Sequence, residues 1–345
     1  MIPPREHFSG CLVGQCLGDA LGFLVEGSPP DTCSQYVRGE LGSFQRGGPF
    51  PKRRAAPVGQ YTDDSQLARE LMQSYAAHGQ LKPDDYAGRI AAIFAESRIV
   101  GRGLATETAA RRLIQGVPWD EAGVPAPSAG NGSAMRAGPV GLLYGNDLPE
   151  MIRVAHDQGR ITHKDNRCSA GAIAIAGAVA LASRPGEVHV ESWVRQLSEW
   201  IVPMDKSFAQ DLLGLVHWVG LPPAEAVQLI SRCGPPDFED DWKWISPFVV
   251  PSVLWSLYSF FRTPKDYWTT IGTAIEVGGD VDTTAAMAGA ISGAHLGLER
   301  LPIAAAHQLT DQGTWGFAGL VELAHRCHAL KIAPQTRFAK PRDGM

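Results

Sequence analysis

Glycine recurs at every fourth residue at Gly10, Gly14, Gly18 and Gly22, inside an otherwise largely apolar run from Ser9 to Phe23. Residues four apart share one face of a helix, so this spacing draws a stripe without side chains along which another helix can approach closely. Each glycine in a helix interior is less favourable than alanine by about 1 kcal/mol, so close packing along the stripe must offset a considerable loss. Gly289, Gly293 and Gly297 repeat the pattern near the other end of the chain. Two such helices predict a tightly packed helical centre.

The rest of the chain agrees with that centre. Apolar residues at helical spacing mark Ser65 to His78, Asp84 to Ser97, Thr106 to Gln115, Val190 to Ile201 and Phe208 to Val219. They also mark Ala224 to Cys233, Val249 to Phe261, Tyr267 to Val277 and Gly319 to Leu330. Alternating strand patterns bounded by hairpin turns are scarce. The expected fold is all-α, a single compact orthogonal multi-helix bundle, and with no clear linker the whole of 1–345 reads as one domain. Gly27 to Gly59 is rich in Gly and Pro and carries Arg38, Arg46, Lys52, Arg53 and Arg54; it reads as a long loop with little regular structure.

Composition excludes several classes of protein. With 19% charged and 44% apolar residues and a net charge of -5, the chain has neither the profile of a disordered protein nor the basic surface of a generic nucleic-acid binder. Six cysteines without C-x-x-C spacing fit a reducing compartment. No basic leader followed by an apolar stretch is visible, so a cytoplasmic location is expected. Ala170 to Ala182, the longest apolar stretch, falls well short of the roughly 20 residues that a membrane span needs. It reads as a buried helix, and no membrane association is expected.

Two acidic clusters carry the functional signal. Thr62-Asp63-Asp64 stands just before one helical run, and Asp280-Val281-Asp282-Thr283 follows Gly278-Gly279 and precedes another. Thr and Asp at helix starts are favoured by capping and by the helix dipole, and either cluster alone supports that reading. Together they offer hard oxygen donors at two helix mouths, and Asp280 and Asp282 fall on one side if the chain is extended there. If the two starts meet, carboxylates and threonine oxygens suffice for one or two Mg2+ or Mn2+ ions. Zinc suits the set less well, because neither Cys nor His is near in sequence.

A third segment, Gly130-Asn131-Gly132-Ser133-Ala134-Met135-Arg136, has closely spaced glycines that can turn backbone N–H groups toward a phosphate. It can equally be a plain tight turn. Thr162-His163 precedes the small-residue helix, where a histidine is commonly a cap or a core-edge donor.

Taken together, these segments resemble the ADP-ribosylglycohydrolase family. The likeness rests on Gly14-x-x-x-Gly18-Asp19-Ala20-x-Gly22 followed by Glu26, on Tyr61-Thr-Asp-Asp64, on Gly130 to Arg136, on Thr162-His163 and on Gly278-Gly-Asp-Val-Asp-Thr283. Their order and spacing cover almost the entire chain. The resemblance implies an all-α fold with two Mg2+ or Mn2+ ions at its centre, held by Thr62, Asp63, Asp64, Asp280, Asp282 and Thr283. It further implies Glu26 beside the distal ribose, the Gly132 and Ser133 loop at the diphosphate, and His163 near the ligand, with Asn131, Met135 and Arg136 in the same binding segment. Ser65 stands where the family commonly has Thr, and Val281 lies between the two late aspartates; neither removes an implied ligand.

The implied reaction is cleavage of an ADP-ribosyl glycosidic bond, through an oxocarbenium-like transition state and an attacking water. Asp63, Asp64, Asp280 and Glu26 are the carboxylates expected to move protons. The expected substrates are ADP-ribosylated proteins, arginine-linked before serine-linked ones, with ADP-ribose released. ADP-ribosylated nucleic acid and O-acetyl-ADP-ribose stay open. A cognate ADP-ribosyltransferase or its target is a further candidate partner, and a monomer is expected. The competing class is a non-enzymatic member, either structural, as in the lens crystallins that resemble this family, or an immunity protein. Loss of metal ligands would mark the crystallin-like case, and none is lost here. The basic positions from Arg38 to Arg54 read first as a solvated surface, with contact to the diphosphate or to a modified target as the alternatives.

Overall fold

The computed structural model describes residues 2–39, 41, 56–234 and 244–333. Among them, helices account for every extended element, and β pairing is confined to isolated bridges such as Gln60 with Thr310 and Ile245 with Gly279. The all-α expectation holds.

The two glycine-striped segments form helices Arg5–Phe23 and Val281–Leu296, and they pack against one another along their length. A Cβ on Gly14 would sit 2.5 Å from the carbonyl oxygen of Gly289, and Gly10 faces Gly293 and Gly297 in the same way. Gly22 meets Val281 and Asp282, so the pair is antiparallel. Both helices are buried almost all round, which is why neither shows an amphipathic face. Tyr267 crosses the seam and donates its hydroxyl to Gly14 O at 2.6 Å.

Helices Asn166–Ala182 and Val249–Arg262 pack against this pair, with Gly171 facing Val249 and Val253. Helix Asp63–His78 lies on the first glycine helix and on the late helix Phe317–Ile332. Most expected helical runs appear within a few residues of their forecast ends. The run from Phe208 to Val219 instead divides into Lys206–Leu213 and Leu215–Trp218 at Gly214, against which the Trp218 ring is packed. Gly138–Tyr144 and Leu148–Arg160 were not forecast. The second has a legible start, since Asp147 accepts the Glu150 N–H at 3.2 Å and Pro149 occupies the first turn.

The expectation of a structureless Gly27 to Gly59 needs correction. Pro30–Gly39 is a helix, with Pro30 and Asp31 opening it and Cys33 and Tyr36 buried on one face. Tyr36 donates to Leu21 O at 3.1 Å, anchoring it to the first glycine helix. Averaging over the window hid a short amphipathic segment whose buried face is tertiary in origin. Arg46, Lys52, Arg53 and Arg54 lie outside the described residues.

Candidate active site

The antiparallel glycine pair sets the site, because the end of one helix meets the start of the other. Glu26, just beyond the first helix, has a carboxylate oxygen within 4.8 Å of oxygens of both Asp280 and Asp282. Asp280 is the N-cap of the second helix and Asp282 lies in its first turn. The two aspartates therefore converge through a helix start rather than through an extended segment. Gly278 and Gly279 approach that start at φ 78° and 96°, pressed against Ser28 and Ile245, a conformation and a closeness that a side chain would not tolerate.

The other acidic cluster is positioned by Asp19, from the middle of the first glycine helix. Its carboxylate accepts Thr62 N at 2.9 and 3.0 Å, the Thr62 hydroxyl at 2.9 Å and Ser65 N at 3.1 Å. A residue from another helix thus supplies the cap for Asp63–His78, and Thr62 makes no capping bond of its own. Local capping would account for the cluster only if these side chains closed the helix. They do not, and Asp63 and Asp64 line the cavity. Gln15, one turn earlier than Asp19, donates to Asp64 O at 3.0 Å and to Met135 O at 2.9 Å, joining the cluster to the third segment.

That third segment is a tight turn with a short 3-10 helix, Asn131–Ser133. Asn131 donates to Asp280 Oδ2 at 2.6 Å and to the Ser252 hydroxyl at 2.9 Å. His163 packs on Gly132, where a Cβ would come 2.5 Å from the imidazole. Its Nδ1 lies 2.8 Å from the Thr162 hydroxyl, which accepts from Arg136 at 2.8 Å. Arg136 is fully buried and also donates to Gln158. Burial first, and then Arg136, holds the His163 pKa down to about 3, so its ring is neutral.

These elements enclose a cavity of about 370 Å3. Glu26, Asp63, Asp64, Asp280, Asp282 and Thr283 line it, as do Asn131, Gly132, Met135 and His163. Thr62, Ser133 and Arg136 stand behind the wall. Ser133 donates to Cys168 O at 2.8 Å, and Thr62 and Arg136 are committed to the partners given above. Burial and like charge disfavour ionisation here. Asp63 and Asp64 are pushed well up by desolvation, with further repulsion from neighbouring carboxylates. Asp280 is raised to about 7 by burial and then by Glu26 and Asp64, and Asp19 to about 8 by burial and Asp282. Asp64 Oδ1 is buried without a hydrogen-bond partner. An oxygen-rich, overcharged and incompletely hydrogen-bonded pocket is what a hard divalent cation satisfies.

Sequence reasoning gave no role to Gln15, Ser252 or the wall from Gly101 to Thr106. Gln15 carries a usable signal, being a polar residue inside an apolar helix, which must find partners when buried. The wall carries none.

These features define a helical enzyme built around an acidic cavity. The chain belongs to the ADP-ribosylglycohydrolase family, whose pattern it matches over residues 2–337, and it is a glycosidase acting on ADP-ribosyl linkages. It is 31% identical to ADP-ribosylhydrolase ARH3 of Gallus gallus, over 87% of this chain and 88% of that protein. The human ARH3 is 28% identical, over 86% and 87%. The ADP-ribosylarginine hydrolase Tri1 of Pseudomonas putida is 31% identical over 46% of this chain and 42% of its own. A solved chain described as an ADP-ribosylglycohydrolase-related protein complex superposes with a TM-score of 0.69 at 26% identity, covering 95% of this chain and 99% of its own. Among the described residues no helix is long and apolar enough to cross a membrane.

Proposed function

We propose that the protein is a divalent-cation-dependent hydrolase that removes ADP-ribose from modified protein side chains, with arginine-linked ADP-ribose as the substrate placed first. The observation that carries it is the convergence of Asp63, Asp64, Asp280, Asp282 and Glu26, from the two ends of the chain, on one cavity of about 370 Å3. That size suits a small organic ligand. Asp63, Asp64, Asp280, Asp282 and Thr283 would hold two Mg2+ or Mn2+ ions, and Thr62, behind the wall, would orient Asp64 through its hydroxyl, which donates to Asp64 Oδ2 at 3.0 Å. Such ions supply Lewis acidity toward ribose hydroxyls and the attacking water.

The chain's own groups do the rest. Those carboxylates of the wall that ionise favour the positive charge that develops at the anomeric carbon. Asp63, Asp64, Asp280 and Glu26 are the groups within reach to take the proton of the water and to supply one to the leaving group. Asn131 fixes Asp280 for that role through a hydrogen bond of 2.6 Å. The Gly130 to Ser133 turn would present backbone to the diphosphate. Neutral His163, oriented through Thr162 and Arg136, would offer its outer ring nitrogen to the bound ligand. An acidic cavity also suits a departing guanidine, and the likeness to Tri1 supports the arginine linkage.

A second reading, hydrolysis of another linkage, is favoured by one finding. The relatives named ADP-ribosylhydrolase ARH3 match along most of the chain, whereas the arginine-specific name belongs to a match over less than half of it. The test is a panel of arginine-linked and serine-linked ADP-ribosyl peptides, ADP-ribosylated nucleic acid and O-acetyl-ADP-ribose, each with Mg2+ and with chelator. Release from the arginine peptide in Mg2+ alone supports the proposal. Release from another linkage only moves the substrate, and no release from any of them sinks the reading.

A further inference from the structure

The cavity wall from Gly101 to Thr106 begins in a segment, 98–103, that has neither helix nor strand. Its approach is strained at Ser97, which has φ 54°, a conformation that persists only where surrounding contacts hold it. Arg98 and Arg102 are exposed, while Ile99 packs partly against the core, so burial fixes the segment only in part. Hydrogen bonds from fully buried Gln66 fix its backbone.

The Gln66 side-chain amide donates to Arg98 O at 2.9 Å and accepts from Val100 N at 2.9 Å. Its third bond, to Asp311 Oδ1 at 2.8 Å, fixes its orientation. Asp311 is itself immobilised, because Arg69, also fully buried, donates to its other oxygen at 2.6 Å. Gln312 adds a bond to Arg98 O at 2.7 Å. The clasp then reaches the acidic cluster directly, since Asp63 N donates to Val100 O at 2.7 Å and Gly101 lies against Asp63 and Thr62. A late turn of the chain, through one glutamine, therefore sets both a cavity wall and the backbone of Asp63.

We propose that Gln66, oriented by Asp311, is a positioning residue that holds the 98–101 segment so that the Gly101 to Thr106 wall seats the ADP-ribosyl group. This rests on the cavity being the substrate site. Gln66→Met keeps the volume and removes all three bonds. Tyr258→Phe, which removes a hydroxyl bonded to Leu221 O at 2.7 Å, neither residue lining the cavity, serves as a control for lost stability.

The expected result for Gln66→Met is a KM for ADP-ribosyl peptide raised at least about tenfold, the scale on which a misplaced substrate wall acts, with a smaller change in kcat. Hydrogen exchange in the peptide containing Val100 should accelerate while that of helix Val249–Arg262 is unchanged. Tyr258→Phe should leave both KM and that exchange at the parent values. Unchanged KM and unchanged exchange in an active Gln66→Met would overturn the positioning role, as would an equal KM rise in Tyr258→Phe. A parent that neither releases nor binds ADP-ribose instead refutes the substrate reading beneath it.

Discussion

Substituting Gly22 by alanine tests the packing that brings the two ends of the chain together. Its Cβ would lie 2.5 Å from Asp282 Cα and from Val281 O, where ordinary contact begins at 3.4 Å. The shortfall of about 0.9 Å falls entirely on backbone, so no side-chain rotation relieves it and the helices must part. Overpacking of this kind destabilises by about 1–3 kcal/mol, and a rigid backbone contact belongs at the upper end. Alanine recovers about 1 kcal/mol of helix propensity, which leaves a net loss of about 2 kcal/mol. Because the displaced backbone carries Asp282, Mn2+ affinity should fall as well, by about tenfold or more. Gly10→Ala makes the same clash at the far end of the pair, against Gly293 and Gly297, and should lose stability without loss of cation affinity. Gly88→Ala, on helix Pro83–Ala95 with open space at its Cβ, should gain up to about 1 kcal/mol. Urea unfolding reports the midpoint and slope of each, and calorimetric titration with Mn2+ reports the site. The reasoning is refuted if Gly22→Ala is as stable as Gly88→Ala, or if Gly10→Ala and Gly22→Ala weaken cation binding equally.

Three other outcomes follow from the site. Asp280→Asn should lower kcat/KM by about a thousandfold or more, since electrostatic and proton-transfer roles each carry losses of about a hundredfold or more. In chelator the same variant should melt no lower than the parent, because it relieves a buried cluster of like charges. Cation-free protein should lose stability as pH rises: Asp280 and Asp19 have folded pKa values near 7 and 8 against about 3.9 unfolded. The folded state then binds the extra protons, so the contribution of these two groups is full below about pH 4 and is lost as pH rises to about pH 8. Thermal melts across that range should show the decline in chelator and a much smaller one in Mg2+, and parallel curves would contradict it. Gly132→Ala, whose Cβ would meet the His163 ring at 2.5 Å, should raise KM while leaving the melting temperature close to the parent value. Steady-state kinetics beside a melt check this.

The helical class, most helix positions and the two acidic clusters were legible along the chain because each is written in local spacing. A four-residue period of glycine announces a helix contact without naming the partner, and Gly10 to Gly22 could have met any small-residue helix. Only the tertiary structure decided that they meet Gly289 to Gly297 in antiparallel order, which alone puts Glu26 beside Asp280 and Asp282. The same limit applies to Asp63 and Asp64. Local sequence could not separate caps from cavity carboxylates, since the deciding group, Asp19, caps their helix from 43 residues away. It applies again to Pro30–Gly39, a helix held by a buried face, and to Gln66, whose partner Asp311 lies 245 residues on. Periodicity is a property of one segment and survives in the sequence. Partner choice, burial of charge and the strain held at Ser97 are properties of segments in contact, and they arise only when the chain has closed on itself.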